Sequence, residues 1–289
     1  MDYQIFTDAT ADISEEMLVG LPHIEIVPME INIGNKTYVY GTTGNLTVEQ
    51  FYAMQREGMF ASTTQIRPDK YKEAFEPYLQ KGKNILYLGF SSGMSGTVSS
   101  ASLCARELEE AYPTRKILCI DTRCASVGEG FLVREATKKQ AEGMKLEDLA
   151  QWVTEHCLDV CHWFTVDTFQ HILHGGRVSA AEAIAGTVLK IKPLLHVDDE
   201  GKLQVMEKPR GNKQAMKVKL KHMEKGWMPE LGKLVIVGHG DCPENGKLLC
   251  EQITEHYPEA EIYMVDIGPV IGAHTGPGMM ALIYWGNNR

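Results

Sequence analysis

The sequence predicts an α/β protein of two domains: an N-terminal domain built on a largely parallel sheet with flanking helices, and a C-terminal α+β domain. Three observations predict it. Short apolar runs alternate with amphipathic helical stretches through the first half, the pattern of a parallel sheet. Three of those runs end in polar residues, Thr7-Asp8, Ser91-Ser92 and Asp121-Thr122, where an open parallel sheet places its ligand crevice. The second half mixes a hairpin pattern with one further β-α-β unit. We set the boundary near residue 158, giving domains 1–158 and 159–289. No low-complexity linker joins them, so the halves should pack closely.

In chain order, Tyr3 to Thr7 is a strand ending at Asp8, followed by the capping sequence Thr10-Ala11-Asp12. Glu25 to Met29 reads as an edge strand, because Pro28 cannot donate to a ladder. Ile31 to Tyr40 alternates about Gly34-Asn35 as a hairpin does. Thr47 to Glu57 and Pro68 to Lys81 are amphipathic helices, the second with proline in its first turn; Ala61 to Gln65 between them is a hydroxyl-rich loop. Asn84 to Leu88 and Lys116 to Ile120 are strands flanking a helix from Val98 to Tyr112. A long helical region from Ala125 to about Cys157 breaks near Gly143. Trp163 to Val166 is a strand, and Leu173 to Ser179 turns into a helix from Ala180 to Leu189, whose small side chains leave room for a ligand or a close packing face. Leu194 to Val197 and Leu203 to Glu207 form a hairpin, and Asn212 to Lys225 a basic amphipathic helix. Leu234 to Val237, Pro243 to His256 and Ile262 to Val265 make the β-α-β unit. Gly268 to Gly278 is a rigid glycine-proline loop, and Met279 to Trp285 the last apolar run.

The chain of 289 residues has a formal net charge of −9, which argues against a nucleic-acid or anionic-membrane binder. No apolar run reaches the length of a membrane span, and Met1-Asp2-Tyr3-Gln4 lacks a signal pattern, so a cytoplasmic protein is expected. The seven cysteines are scattered, as in a reducing compartment. Cys157, Cys161 and His162, with His239 and Cys242, lack the doubled spacing of a zinc site. They read as buried thiols and surface imidazoles, and no metal or cofactor is expected.

The chemistry concentrates in three loops. Residues 89–101 hold six Ser/Thr and three Gly between a strand and a helix, where unpaired N–H groups and the helix dipole favour an anion. Thr63-Thr64-Gln65 is the second hydroxyl cluster. In the third, His274 sits between glycines that let the backbone come close to a ligand. Gly89-Phe90-Ser91-Ser92-Gly93 also matches the nucleophile elbow G-x-S-x-G, with Asp266 and His274 downstream. A serine acyl hydrolase using Ser91 is therefore the alternative to a binding protein. Against it, Gly93 to Gly96 intervene before the helix can start, whereas an elbow serine enters its helix at once.

These stretches resemble the bacterial DegV family of fatty-acid-binding proteins. Phe6 to Asp12 is similar to the family's T-D-S-x-x-D opening, Thr63-Thr64-Gln65 to its T-S-Q, and Ser91 to Thr97 to its S-S-x-x-S-G-T. Leu173 to Ser179 resembles L-x-x-G-G-R-I-S, Ile191-Lys192-Pro193 resembles I-K-P, and Gly268 to Gly278 the closing G-P-V-I-G-x-H-x-G-P-G. The departures are Thr64 for serine, Ile66 for proline, and His174 where a basic residue is common. The resemblance implies a non-enzymatic carrier that buries one long-chain fatty acid between two domains. It implies that the carboxylate is held by Thr63, Ser95 and His274, with Thr64, Gly96, Thr97, Gly272 and Gly276 as supporting loop positions. It also implies service, in some bacteria, to a fatty-acid kinase that phosphorylates the presented carboxylate. Arg177 and Arg210 are candidate contacts for that partner or for an acyl phosphate, while Lys192 reads as solvated charge. The chemistry agrees with such a ligand, since an ionised carboxylate accepts only and needs hydroxyl, imidazole and amide donors.

Overall fold

The computed structural model describes residues 2–178 and 191–289; the expected helix from Ala180 to Leu189 lies outside them. The first sheet contains β1 (Tyr3–Asp8), β2 (Glu25–Val27), β6 (Asn84–Gly89) and β7 (Ile117–Asp121), in the order β2-β1-β6-β7 and parallel throughout. Pro28 ends β2, and the chain leaves for a separate three-stranded antiparallel sheet of β3 (Met29–Ile33), β4 (Lys36–Tyr40) and β5 (Ala61–Thr63). The edge strand expected over Glu25 to Met29 is thus two strands, because proline has no N–H with which to continue one ladder. Part of the expected hydroxyl loop is likewise β5. Its pairing with β3 supplies an order that three polar-flanked residues do not signal alone.

Helices α1 (Val48–Arg56), α2 (Pro68–Gln80) and α3 (Thr97–Ala111) fall where the periodicity put them. Thr47 opens α1 with a reciprocal capping box to Gln50, which satisfies two otherwise orphaned N–H groups. Thr10 and Asp12 cap no α-helix. Asp8 accepts the Thr10 N–H at 2.9 Å and Asp12 accepts the Gly268 N–H at 2.8 Å, so the turn after β1 is tied down by its own acids.

The long helical region is α4 (Val127–Ala141) and α5 (Leu146–His156), divided at Gly143, whose φ is 95°. Most of α4 is buried on every side, as a helix between two layers must be. One layer is the parallel sheet. The other is a six-stranded sheet formed by β8 (Val160–Thr165), β9 (Leu194–Val197), β10 (Leu203–Glu207), β11 (Leu234–His239), β12 (Glu261–Asp266) and β13 (Met280–Trp285). Its order is β10-β9-β8-β13-β11-β12, antiparallel except for β11 and β12.

Side-chain alternation assigns the faces. Leu86 and Leu88 of β6, with Phe164, Ala281 and Ile283 of the larger sheet, share one core with α4. Tyr87 and Ile85 turn to α2 and α3. Trp163, Leu282 and Tyr284 turn to α7 (Gly211–Gly226) and α8 (Pro243–His256). The layers therefore run helix, sheet, helix, sheet, helix.

The third loop differs from expectation. Pro269 to Thr275 is a helix, α9, following α6 (Gln170–Gly175) in space. Proline fits the first helical turn, and burial of Val270, Ile271 and Ala273 offsets the glycine penalty. His274 therefore projects from the last turn of a helix rather than from a loop.

Candidate functional site

Between the two large sheets, beyond the carboxyl ends of β1 and β6 and beside the first turn of α4, lies a cavity of about 90 Å³. Its walls are mostly apolar: Phe90 and Met94 after β6, Val127 of α4, Phe164 of β8, Ala281 and Ile283 of β13. Val197 and Leu203, on the β9–β10 hairpin, close one side. The hairpin tip is fastened to the first half by the Ser91 hydroxyl, which donates to Gly201 O at 2.7 Å, and by Arg123 Nη1, which donates to Asp199 O at 3.2 Å.

Thr63, Ser95, His274 and Arg177 all reach this cavity. Thr63 comes from β5, Ser95 from the turn before α3, and His274 from α9. Thr63 Oγ1 and His274 Nε2 are hydrogen-bonded at 2.8 Å. Ser95 Oγ lies 2.9 Å from Thr97 Oγ1 and accepts the Thr97 N–H at 3.3 Å. Burial foremost, then the nearby Arg177 charge and His174, lower the His274 pKa from 6.5 to about 4. The ring is therefore neutral at pH 7, with one N–H to give. Its Nδ1 is buried without a partner and faces Gly175, where a Cβ would stand 2.3 Å away. Glycine at 175 is what lets the imidazole sit there.

The remaining expected positions are placed differently. Thr64 and Gly96 are exposed and Thr97 is buried; none of them, nor Gly272 or Gly276, is on the cavity wall. Gly96 makes room for the Gln65 side chain, Gly272 for the rings of Phe51 and Tyr52, and Gly276 for His171. These are close-approach positions that seat the loops. Arg177 is exposed and on the cavity wall, donating to Met94 O at 3.3 Å. Arg210 is exposed, precedes α7 and bridges to Ile191, away from the wall. Lys192 is not solvated charge: it pairs with Asp167 at 2.5 Å and its side chain is only 18% exposed.

The hydrolase arrangement does not assemble. Ser91 is fully buried, spends its proton on Gly201 O and accepts the Gly93 N–H at 3.2 Å. His274 is engaged by Thr63, and Asp266 lies 3.4 Å from His239 instead. The G-x-S-x-G match serves to dock the hairpin.

Two expected surface imidazoles are interior groups. His162 and His239 are both buried, because each sits in a central strand of a sheet covered on both faces. His162 lines the cavity; its Nδ1 lies 2.9 Å from Val160 O and its Nε2 is 3.3 Å from the Ala125 N–H. Burial holds its pKa well below 6.5, so the wall there is uncharged. Thr10 and Ser126 also line the cavity and were not legible in the sequence. The only signal would have been Asp8, an acid at the end of β1, and Asp12 in the turn that follows it, to which Thr10 and Ser126 respectively are hydrogen-bonded.

Residues 2–287 match the family model described as "Uncharacterised protein, DegV family". A DegV domain-containing protein of Clostridium perfringens is 38% identical over 287 residues, 99% of this chain and 98% of that one. Among solved structures, a DegV family protein from Thermus thermophilus, described for its fatty acid binding, superposes with a TM-score of 0.86 at 27% identity, covering 99% of this chain and 100% of the other. A fatty acid kinase B3 protein of Streptococcus pneumoniae loaded with linoleic acid shares the fold, with a TM-score of 0.88 at 20% identity over 99% of this chain and 100% of the other.

Proposed function

Because the chain belongs to the DegV family, we propose that it binds one long-chain fatty acid in the cavity between its sheets, the carboxylate toward Thr63, Ser95 and His274 and the tail along Phe164, Ala281 and Ile283. One observation carries this reading: a single apolar cavity receives a threonine, a serine and a neutral histidine from three elements far apart in the chain. Each charge-assisted bond to the carboxylate contributes about 1.5–3 kcal/mol. Burying about 15 methylenes at about 0.8 kcal/mol each contributes on the order of 12 kcal/mol before association costs. Affinity resides in the tail, and orientation in the polar end. The reading calls for no cofactor.

Denaturing extraction of protein never exposed to delipidation, followed by mass spectrometry, should release a long-chain fatty acid close to one per chain. Recovery of none would overturn the proposal.

The same reading divides the chain at about residue 158, the ligand lying between the halves, and makes the protein a cytoplasmic carrier. No helix among the described residues is long and apolar enough to cross a membrane. A fatty-acid kinase is the proposed partner, with Arg177 beside the carboxylate end offering its guanidinium to the partner or to an acyl phosphate. Arg210 is a second, more distant contact. Charge reversal at Arg177 and Arg210 is expected to slow acyl phosphorylation by a cognate kinase at least tenfold, by the order of one charge-assisted bond; an unchanged rate would remove both residues from the proposal.

A further inference from the structure

The peptide plane between Ile267 and Gly268 opens α9 and lies outside every strand and helix. The last bond to the sheet before it runs from the Ile267 N–H to His239 O at 2.8 Å, and the first helical bond after it from the Gly272 N–H to Gly268 O at 2.8 Å. Its own two polar groups are taken by buried side chains from far earlier in the chain. The Tyr52 hydroxyl, on α1, donates to Ile267 O at 2.9 Å, and Asp12 Oδ1 accepts the Gly268 N–H at 2.8 Å. The peptide is trans, so its C=O and N–H point opposite ways. Tyr52 and Asp12 therefore grip one plane from its two edges.

Both grips hold at neutral pH. A Cβ at Gly268 would overlap Asp12 Oδ1 and the Tyr40 ring, so glycine is what lets this N–H come so close. Asp12 holds φ at 44°, a left-handed backbone that non-glycine residues seldom adopt, and its Oδ2 is fixed by the Ser126 hydroxyl at 2.6 Å. Burial raises the Tyr52 pKa well above 10, so the phenol keeps its proton to donate. Burial also raises the Asp12 pKa from 3.8 to about 7. The titratable groups facing Asp12 are Asp8, Asp266, Glu129, Tyr40 and Tyr52, none of them a cation. Protonation of Oδ2 would turn the Ser126 bond around and leave Oδ1 an acceptor. The contact with Gly268 thus survives in either state.

We propose that Asp12 and Tyr52 are positioning residues of the fatty-acid site: by gripping the Ile267–Gly268 peptide from both edges they fix the direction in which α9 leaves the sheet, and so the place of His274 in its last turn. Gly268 O accepts the first bond of that helix, so a tilt of the plane tilts the helix. The far end of α9 is held by the bond between His274 Nε2 and Thr63 Oγ1. Neither Asp12 nor Tyr52 lines the cavity, whereas Val270, Ile271, His274 and Thr275 of α9 all do. This rests on the site reading above for the role of His274.

The experiment compares the affinities of palmitate and hexadecan-1-ol, by displacement of a fluorescent fatty acid, for wild type, His274→Ala, Asp12→Ala, Asp12→Asn and Tyr52→Phe. The two ligands carry tails of equal length, so the ratio of their affinities reports the carboxylate end. Asp12→Ala should cut the preference for palmitate about five- to tenfold, the lower part of the range for one hydrogen bond to a charged group. Asp12→Asn, whose amide oxygen still accepts the Gly268 N–H, should hold it within about twofold. Tyr52→Phe keeps the ring, loses only the hydroxyl and should cut the preference about threefold; it decides the matter if Asp12→Ala does not fold. A merely structural role would weaken both ligands alike and leave the ratio unmoved. That result in Tyr52→Phe, or a loss in Asp12→Asn as large as in Asp12→Ala, would overturn the proposal. If His274→Ala itself leaves the ratio untouched, the carboxylate site fails first, and the clamp has nothing to position.

Discussion

Ala281→Phe is expected to weaken fatty-acid binding on the order of 10³-fold while leaving the protein folded. Ala281 lies on central strand β13, opposite Phe164 in the ladder, and its methyl group forms part of the cavity wall. A phenyl ring there would occupy space otherwise open to the alkyl tail. Displacing about five methylenes at about 0.8 kcal/mol each costs about 4 kcal/mol, which is roughly three powers of ten in affinity. The ring has a cavity to enter, so the overpacking that usually follows small-to-large changes in a core should be slight. By contrast, His274→Ala removes one donor and should cost about 10- to 100-fold. Displacement of a fluorescent fatty acid, with thermal melts of the delipidated proteins, measures both. If Ala281→Phe bound within tenfold of wild type, the tail would not cross β13 and this cavity would not be the tunnel.

Lys219→Met should raise the unfolding free energy at pH 7 by about 2–4 kcal/mol, within the range seen when buried charges give way to apolar side chains. Lys219 sits on the inner face of α7, fully buried, with its ammonium 2.8 Å from Thr165 Oγ1. Burial lowers its pKa from 10.5 to about 7. The unfolded chain therefore binds this proton more tightly than the folded one. The penalty is complete below about pH 7 and fades as pH rises toward 10.5, where both states are neutral, so stability should climb by about 5 kcal/mol across that window from this group alone. Methionine fills similar space and never ionises. Urea unfolding at pH 7 and pH 9.5 should show the variant ahead at the lower pH and the gap closing at the higher one. A variant less stable than wild type at both would mean that the bond to Thr165 outweighs the burial of charge.

That lysine also marks a limit of reading the chain alone. Lys217, Lys219 and Lys221 lie on one basic helix, and composition treats them alike. Lys217 and Lys221 are exposed, whereas Lys219 points at β8. Its neighbours Met216, Val218 and Met223 carry the apolar signal of the inward face, but they do not show that a lysine shares it. His162 is a similar case: the expected strand began only at Trp163, whereas the observed one runs from Val160 to Thr165, and the burial of His162 follows from layers on both sides that only the assembled sheets supply.

Local physics decided most of the elements. The parallel sheet, the hairpins, α1 to α3, the break at Gly143 and the basic helix all follow from period, caps and turn residues, which act between neighbours in the chain. The hydroxyl loops and His274 were legible for the same reason, as side-chain chemistry needs no partner to be recognised. What the tertiary structure decided is contact at long range: β13 inserted between β8 and β11, α9 made helical by its buried face, the hairpin tip seated on Ser91, and Thr63 bonded to a histidine 211 positions away. Such pairings cost chain entropy that only the packing of whole layers repays. No window of sequence holds that balance.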